Sequence, residues 1–304
     1  MAACVKQDCG IHAKPSETTQ GHSQARRNAH LGPFTYPPVS FSYDLNPTMQ
    51  RYGGELIYHS RDADGVLEVV DTYGVRALHF GTSPRQTAQS LDNPQRLELA
   101  YIRAMLSPLL FIGDPGRVLL MGLGGGSLAR FLLEQFPDCR VEAVERRAGV
   151  VDIAHAYFGL PRAERLTVHV AGACEQVASL VQNRAQAFDL ILVDVYDHLG
   201  MDTSINVLEF LGGCARLLHP QGALSMNLWG THPVALKQSI NLLRTCFPGN
   251  ALKLAVPNRG NVIGLGLGEA IDPSERKLLE PKARGLEFRT GLEMPYFLRN
   301  LRPL

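Results

Sequence analysis

The sequence predicts an α/β protein in which a doubly wound parallel sheet follows a small antiparallel β-domain. Three observations carry this prediction. From Arg117 onward, apolar strand-like runs alternate with segments of helical spacing. Before that point, short β-prone runs are separated by turn sequences typical of hairpins. A glycine-rich turn, MGLGGGS, joins the first strand of the alternating half to its first helix.

Composition argues against several broad classes of partner. The 304 residues include 30 basic and 29 acidic side chains, and a net charge of +1 leaves no broad electrostatic case for a nucleic-acid or anionic-membrane partner. Apolar runs such as LSPLLFIG are far shorter than the roughly 20 residues of a spanning helix. The first residues show no secretory signal pattern, and the six cysteines form no CxxC pair. We therefore expect a cytoplasmic protein with reduced thiols.

Three regions follow from the change of pattern along the chain. Residues 1–46 are polar, show no periodicity that could bury a face, and are predicted to be a disordered arm. Residues 47–112 are predicted to form the small β-sheet and a connecting helix, with turns at RDADG and DTYG. Residues 113–304 are predicted to form a Rossmann-like domain with a C-terminal tail.

The elements of these regions read off in order. The small sheet has the strand-like runs ELIYHS, VLEVVD and VRALHF, and QRLELAYIRAMLSPLLF is a predicted helix. In the alternating half, the predicted strands are RVLLMGL, RVEAVE, LTVHVA, DLILVD and GALSMNL. Their nearly unbroken apolar character is typical of parallel strands covered by helices on both faces. A second glycine-rich run, NVIGLGLGEA, alternates like a strand and lacks a helix directly after it.

The glycine turn predicts a nucleoside site. Absent side chains let the backbone turn sharply and approach a ligand closely, so Gly122, Gly124, Gly125 and Gly126 are candidate cofactor-binding residues. Glu145 ends the following strand, nineteen positions after the last of these glycines, where a carboxylate can accept hydrogen bonds from ribose hydroxyls.

Spacing within the turn leaves two ligand classes open. The residues from Gly124 to Ala129 fit the GxGxxA pattern of a dinucleotide fold, whereas those from Gly122 to Gly126 fit the GxGxG pattern usual in folds that bind S-adenosylmethionine (AdoMet).

Asp194 and Asp197 follow the fourth parallel strand, in FDLILVDVYDHLG. Ligands of open α/β sheets bind at the carboxyl ends of the strands, so these side chains would stand where a sulfonium donor presents its reactive carbon. That placement favours the AdoMet class. Both aspartates would also suit an ordinary turn, and Tyr101, at helical spacing among apolar residues, would also suit a core position.

Four stretches together resemble the spermidine synthase (polyamine aminopropyltransferase) family, in particular its divergent bacterial spermidine synthase-like members. These stretches are VLLMGLGGGSLARFL, VEAVERRAGVVDIA, RLTVHV and FDLILVDVYDHLG. The N-terminal β-segment and LELAYIRAM also resemble that family's small sheet and tyrosine-bearing helix.

The resemblance implies a role for each candidate residue. Glu145 would bind ribose, Asp194 would be the catalytic carboxylate, Asp197 would help to hold the amine, and Tyr101 would orient it. It further implies decarboxylated AdoMet or AdoMet as donor substrate, a small-molecule amine such as putrescine as acceptor, no metal, and a homodimer.

Three positions depart from the family pattern. Gly125 stands where the family carries an aspartate that meets the donor's amine, Gly172 where it carries an aspartate that reads adenine, and His198 where proline is common. The loss at Gly125 weakens the preference for decarboxylated AdoMet over AdoMet. An aminopropyltransferase, an AdoMet-dependent methyltransferase and a non-catalytic nucleoside-binding relative therefore all stay open.

Overall fold

The computed structural model describes residues 50–196, 203–257 and 260–304. The predicted disordered arm, residues 1–46, lies outside these ranges, and the domain boundaries drawn at 46 and 112 stay predictions. Two sheets organise the described residues, a five-stranded one near the start and an eight-stranded one that takes up the rest.

The five-stranded sheet is an antiparallel meander. Its strands, in chain order and in spatial order, are β1 (Gln50–Arg51), β2 (Gly54–Asp62), β3 (Gly65–Thr72), β4 (Val75–His79) and β5 (Thr87–Ser90). Tight turns join β2 to β3 and β3 to β4, and Tyr73 and Gly74 in the second turn both have positive φ. Two consecutive residues of positive φ are typical of the hairpin turn whose twist matches that of the strands.

A broken helix leads into the large sheet. The sequence predicted one helix here, but the structure has α1 (Ala100–Met105) and α2 (Leu109–Ile112). Pro108 explains the break, because its ring clashes with a helical carbonyl and it has no N–H to donate. The connecting turn is closed instead by hydrogen bonds from Ser107 N–H to Ala104 and from Leu109 N–H to Leu106.

The parallel part of the large sheet follows the predicted alternation of strand and helix. Its elements are β6 (Arg117–Met121), α3 (Ser127–Gln135), β7 (Arg140–Glu145), α4 (Ala148–Tyr157), β8 (Leu166–Val170), α5 (Ala173–Asn183), β9 (Phe188–Val193), a 3-10 turn (Thr203–Ile205), α6 (Leu208–Leu217) and β10 (Leu218–Trp229). The parallel strands lie in the order β8-β7-β6-β9-β10.

Three further strands extend the sheet with antiparallel pairing. After α7 (Pro233–Cys246) come β11 (Ala251–Ala255), β12 (Asn261–Leu267), a 3-10 segment (Pro273–Leu279), α8 (Glu280–Thr290), α9 (Met294–Asn300) and β13 (Arg302–Pro303). The added spatial order beyond β10 is β12-β11-β13. The second glycine-rich run is β12, as its alternation predicted, and a Cβ on Gly264 would lie 2.5 Å from Leu243 of α7. These glycines admit the packing of a helix.

The small sheet packs on the large domain through helix α4. Leu67, Val69 and Leu78 form a buried cluster with Val150 and Ile153. Such burial of aliphatic side chains contributes about 1.5–3 kcal/mol per residue. In the described part of the chain, no helix combines the length and the apolar character needed to cross a bilayer.

A buried ion pair adds a polar tie between the same two units. Arg147, 6% exposed, donates to both carboxylate oxygens of Asp62 at 2.8 and 3.0 Å and to the carbonyl of Gly65. Its guanidinium lies 4.7 Å from the ring centre of Phe80. Burial by itself would raise the pKa of Asp62, but the hydrogen bonds and charge of Arg147 lower it below its usual value.

Replacing Arg147 therefore tests the attachment of the small sheet. We expect R147A to lower the free energy of unfolding by about 2–3 kcal/mol, because it leaves Asp62 and the Gly65 carbonyl without their partner. Arg146 is the matched control, since its ion pair with Asp64 joins side chains that are 50% and 40% exposed. R146A should change stability by less than about 0.5 kcal/mol in urea denaturation. Equal effects would contradict this assignment.

Candidate active site

The parallel strands end at one edge of the large sheet, and a cavity of about 1120 Å³ lies there. Its wall includes Gly122 and Gly124 of the glycine turn, Glu145 at the end of β7, Asp194 just after β9, and Tyr101 of α1. The structure thus brings five of the predicted site residues to one cavity. The loop between β4 and β5 closes its other side.

The glycine turn brings two strand ends into backbone contact. Gly122 has a φ of 87°, and a Cβ there would collide with the carbonyl oxygen of Asp194. Its N–H donates to the carbonyl of Val144 at 2.8 Å. Gly124 has a φ of 53°, and a Cβ there would lie 2.8 Å from the hydroxyl of Thr87. The positive φ values and the lack of space both require glycine at these two positions.

Gly125 and Gly126 have a different setting from the other two glycines. Both are buried, and neither is among the residues that line the cavity. Gly125 donates its N–H to the Thr87 hydroxyl at 2.7 Å, and a Cβ on it would lie 2.5 Å from the Thr87 methyl and 2.9 Å from the Phe158 ring. The turn therefore has no room for an acidic side chain at Gly125. Their binding of a cofactor stays a prediction.

Glu145 is held in place by the backbone around the turn. One carboxylate oxygen accepts the N–H of Leu123 at 3.2 Å, and the other accepts the N–H of Arg147 at 3.0 Å. A carboxylate oxygen can accept two hydrogen bonds, so each has capacity for a ligand hydroxyl. The predicted ribose acid is thus oriented at the cavity wall before any ligand arrives.

Asp194 is fixed from two sides. Its Oδ1 accepts a hydrogen bond from Asn227 Nδ2 at 2.9 Å, and its Oδ2 accepts one from the Tyr101 hydroxyl at 3.4 Å. Burial raises the pKa of Asp194 to about 6, although both hydrogen bonds favour the charged form. Burial and the charge of Asp194 together raise the pKa of Tyr101 well above its ordinary value, so its hydroxyl keeps its proton.

Sequence reasoning missed the amide chain behind Asp194. Asn227 of β10 is 2% exposed, and its Oδ1 accepts a hydrogen bond from Asn261 Nδ2 at 3.0 Å. The Tyr196 hydroxyl donates to the Asn227 carbonyl at 3.1 Å. The available signal was the lone asparagine in the apolar strand GALSMNL, because a buried amide there needs partners.

Some predicted features lie elsewhere or outside the described residues. Asp197 and His198 fall in the gap between residues 196 and 203, so their roles stay predictions. Trp229, treated as pocket lining on sequence grounds, is in the cavity wall. Among the residues that the structure describes, no group of three or more His, Cys, Asp or Glu side chains could hold a metal ion.

The raised pKa of Asp194 makes a prediction about stability. The folded protein holds this proton up to about pH 6, against an ordinary value of 3.8, so ionisation at pH 8 costs stability that is not lost at acidic pH. We expect D194N to raise the free energy of unfolding at pH 8 by on the order of 1–2 kcal/mol. Urea denaturation at pH 8, 6 and 4 should show this gain shrink and vanish. An equal gain at every pH would contradict the assignment.

The crowding at Gly125 makes a second prediction. Replacement by the aspartate that the family pattern carries should destabilise the fold by about 3 kcal/mol, because the new side chain must displace Thr87 and Phe158. G285D is the control, since Gly285 in α8 is exposed and has open space where a Cβ would stand. Thermal unfolding should separate the two variants. A G125D protein as stable as G285D would show that the turn can open.

Comparisons with known proteins identify relatives over most of the chain. No family model matches the chain. The polyamine aminopropyltransferase of Chromobacterium violaceum is 33% identical over 236 residues, which span 78% of this chain and 89% of that protein. The enzyme of the same name from Neisseria meningitidis serogroup A is 31% identical over 232 residues, which span 75% of this chain and 86% of its own.

Solved structures share the fold. A probable spermidine synthase from Corynebacterium glutamicum superimposes with a TM-score of 0.62 at 20% identity, covering 78% of this chain and 94% of that one. Human methyltransferase-like protein 13, in complex with SAH, superimposes with a TM-score of 0.52 at 24% identity, covering 68% of this chain and 95% of that one. The small antiparallel sheet and the Rossmann-like sheet together match the spermidine synthase architecture. On the identity and coverage of its relatives, this chain belongs to the polyamine aminopropyltransferase family.

Proposed function

We propose that this protein transfers an aminopropyl group from decarboxylated AdoMet to the amine of a small polyamine acceptor such as putrescine. The observation that carries the proposal is a carboxylate of raised pKa, Asp194, held by Tyr101 and Asn227 at the cavity wall beside the glycine turn. Membership of the polyamine aminopropyltransferase family supports the same reaction.

The residues present fit a nucleoside donor. Gly122 and Gly124 leave open backbone at the cavity wall that a side chain would fill, and Glu145 holds an oriented carboxylate nearby. Glu145 would accept hydrogen bonds from the ribose hydroxyls, and the glycine turn would let the donor approach the backbone. We assign donor binding to these residues.

Asp194 would handle the proton of the acceptor. An alkylamine of pKa near 10 is protonated at neutral pH and cannot attack until it loses that proton. The nitrogen then bonds to the carbon next to the sulfonium, the carbon–sulfur bond breaks with its electron pair left on sulfur, and methylthioadenosine departs. The proton passes to Asp194, whose pKa of about 6 narrows the gap to the amine from about 6 units to about 4.

Tyr101 and Asn227 would keep Asp194 aimed at the amine. Each donates to a different oxygen of the carboxylate, so each oxygen retains one direction for an incoming N–H. Asn261 fixes the amide of Asn227 in turn. Asp197 as the second amine-binding carboxylate, the homodimer and the cytoplasmic location stay predictions.

A methyltransferase is the second candidate, and one observation favours it. The glycine turn has no room for an acid at Gly125, so that position cannot favour a donor without a carboxylate. Arg85, whose side chain is in the cavity wall, could accept the carboxylate of AdoMet. The two candidates differ in product, since methyl transfer releases S-adenosylhomocysteine and aminopropyl transfer releases methylthioadenosine.

Product analysis tests the proposal directly. With decarboxylated AdoMet and putrescine, we expect methylthioadenosine and spermidine by mass spectrometry. D194N should lower kcat/KM by about 10²–10⁴-fold, because the proton acceptor is lost. D189N is the matched control, since Asp189 stands at the opposite end of β9 and accepts only backbone N–H groups there, from Gly116 and Arg117. Release of S-adenosylhomocysteine from AdoMet would support the methyltransferase instead.

The pH dependence gives a further check on Asp194. Since the carboxylate must be ionised to accept a proton, kcat/KM should fall on the acid side of an inflection near pH 6. The residual activity of D194N should lack that inflection. An acid limb near pH 4 in the wild-type protein would contradict the raised pKa, and an inflection kept in D194N would assign it to another group.

A further inference from the structure

The strand order sets the direction in which the donor's base extends. Along the cavity edge, Asp194 follows β9, Gly122 follows β6, Glu145 ends β7 and Gly172 follows β8, in the spatial order β9-β6-β7-β8. Neighbouring strands lie about 4.8 Å apart. With the reacting carbon at Asp194 and the ribose at Glu145, the base must continue in the same direction, over the end of β8. This step rests on the function proposed above.

The end of β8 carries a carboxylate that folds back over a glycine. Glu175, in the first turn of α5, accepts the N–H of Gly172 on its Oε2 at 3.1 Å. A Cβ on Gly172 would collide with that oxygen, so Glu175 occupies the space of a side chain at position 172. Both residues line the cavity. The glycine therefore admits the carboxylate to the place where the base would end.

A carboxylate at that place distinguishes bases by their hydrogen-bonding groups. Ionised Glu only accepts hydrogen bonds, and a carboxylate oxygen can accept a second one beside that from Gly172. Adenine presents an exocyclic amino group, which donates. Hypoxanthine presents a carbonyl oxygen at the same ring position, which accepts and would be repelled.

We propose that Glu175 is the residue that selects adenine in the donor, by accepting a hydrogen bond from its exocyclic amino group. Gly172 and Glu175 act as a pair, since any side chain at position 172 would displace the carboxylate. Glu175 acts on binding of the nucleoside and takes no part in the transfer step.

Isothermal titration with two nucleosides tests the proposal. Methylthioadenosine and methylthioinosine differ only in the base, where an oxygen replaces the amino group. Wild-type protein should bind methylthioadenosine about 10- to 100-fold more tightly, as a charge-assisted hydrogen bond allows. E175A should bind the two within about twofold of each other, with its affinity for methylthioinosine equal to or above that of the wild type.

Two further variants separate recognition from helix stability. E175Q keeps an oxygen that can accept the Gly172 N–H but can also donate, so its preference for adenine should fall while its helix stays capped. E209A is the matched control, because Glu209 stands in the first turn of α6 and does not line the cavity. It should keep the wild-type preference, and its melting temperature should fall by about as much as that of E175A.

The outcomes distinguish this proposal from the one on which it rests. A wild-type protein that binds both nucleosides equally, or an E175A protein that weakens both by the same factor, would overturn the role of Glu175 and leave aminopropyl transfer standing. A wild-type protein that binds neither nucleoside would overturn the donor site itself, and the role of Glu175 with it.

Discussion

The close backbone approach of β6 and β9 at their carboxyl ends is the constraint on which the site depends. The N–H of Asp194 donates to the carbonyl of Met121 at 2.8 Å, and the bare Cα of Gly122 lies against the Asp194 carbonyl. A larger residue at Gly122 would push the strand ends apart. The glycine turn therefore provides a ligand surface and also sets where the Asp194 side chain enters the cavity.

The small sheet completes the cavity from the other side. Thr87 accepts the N–H of Gly125, so β5 is hydrogen-bonded to the glycine turn, and the Arg147 ion pair joins the β2–β3 hairpin to the start of α4. Arg147 also donates its backbone N–H to Glu145, the predicted ribose acid. The same residues that attach the small sheet thus orient the groups proposed to bind the donor, which ties the stability of the interface to the shape of the site.

Burial of Asp194 places its charge in tension with the stability of the fold. Because burial raises its pKa to about 6, the carboxylate is ionised at neutral pH at some cost in free energy, which the amide of Asn227 and the hydroxyl of Tyr101 partly offset. A carboxylate in such a place is a better proton acceptor for an amine than an exposed one. Sites for chemistry commonly concentrate perturbed groups of this kind.

The sequence alone determined the order of the elements, the glycine turn, and the placement of Glu145 and Asp194 at strand ends, since these follow from local periodicity and the geometry of parallel sheets. It also carried the family resemblance that the relatives support. Only the tertiary structure showed that Gly125 has no room for a side chain, that Asn261 and Asn227 stand behind Asp194, and that Glu175 fills the space above Gly172. Most of these contacts join residues far apart in the chain, and all depend on how strands and helices pack around one edge of the sheet. The pKa of Asp194 depends on the same packing, because it is set by the burial that the assembled cavity imposes.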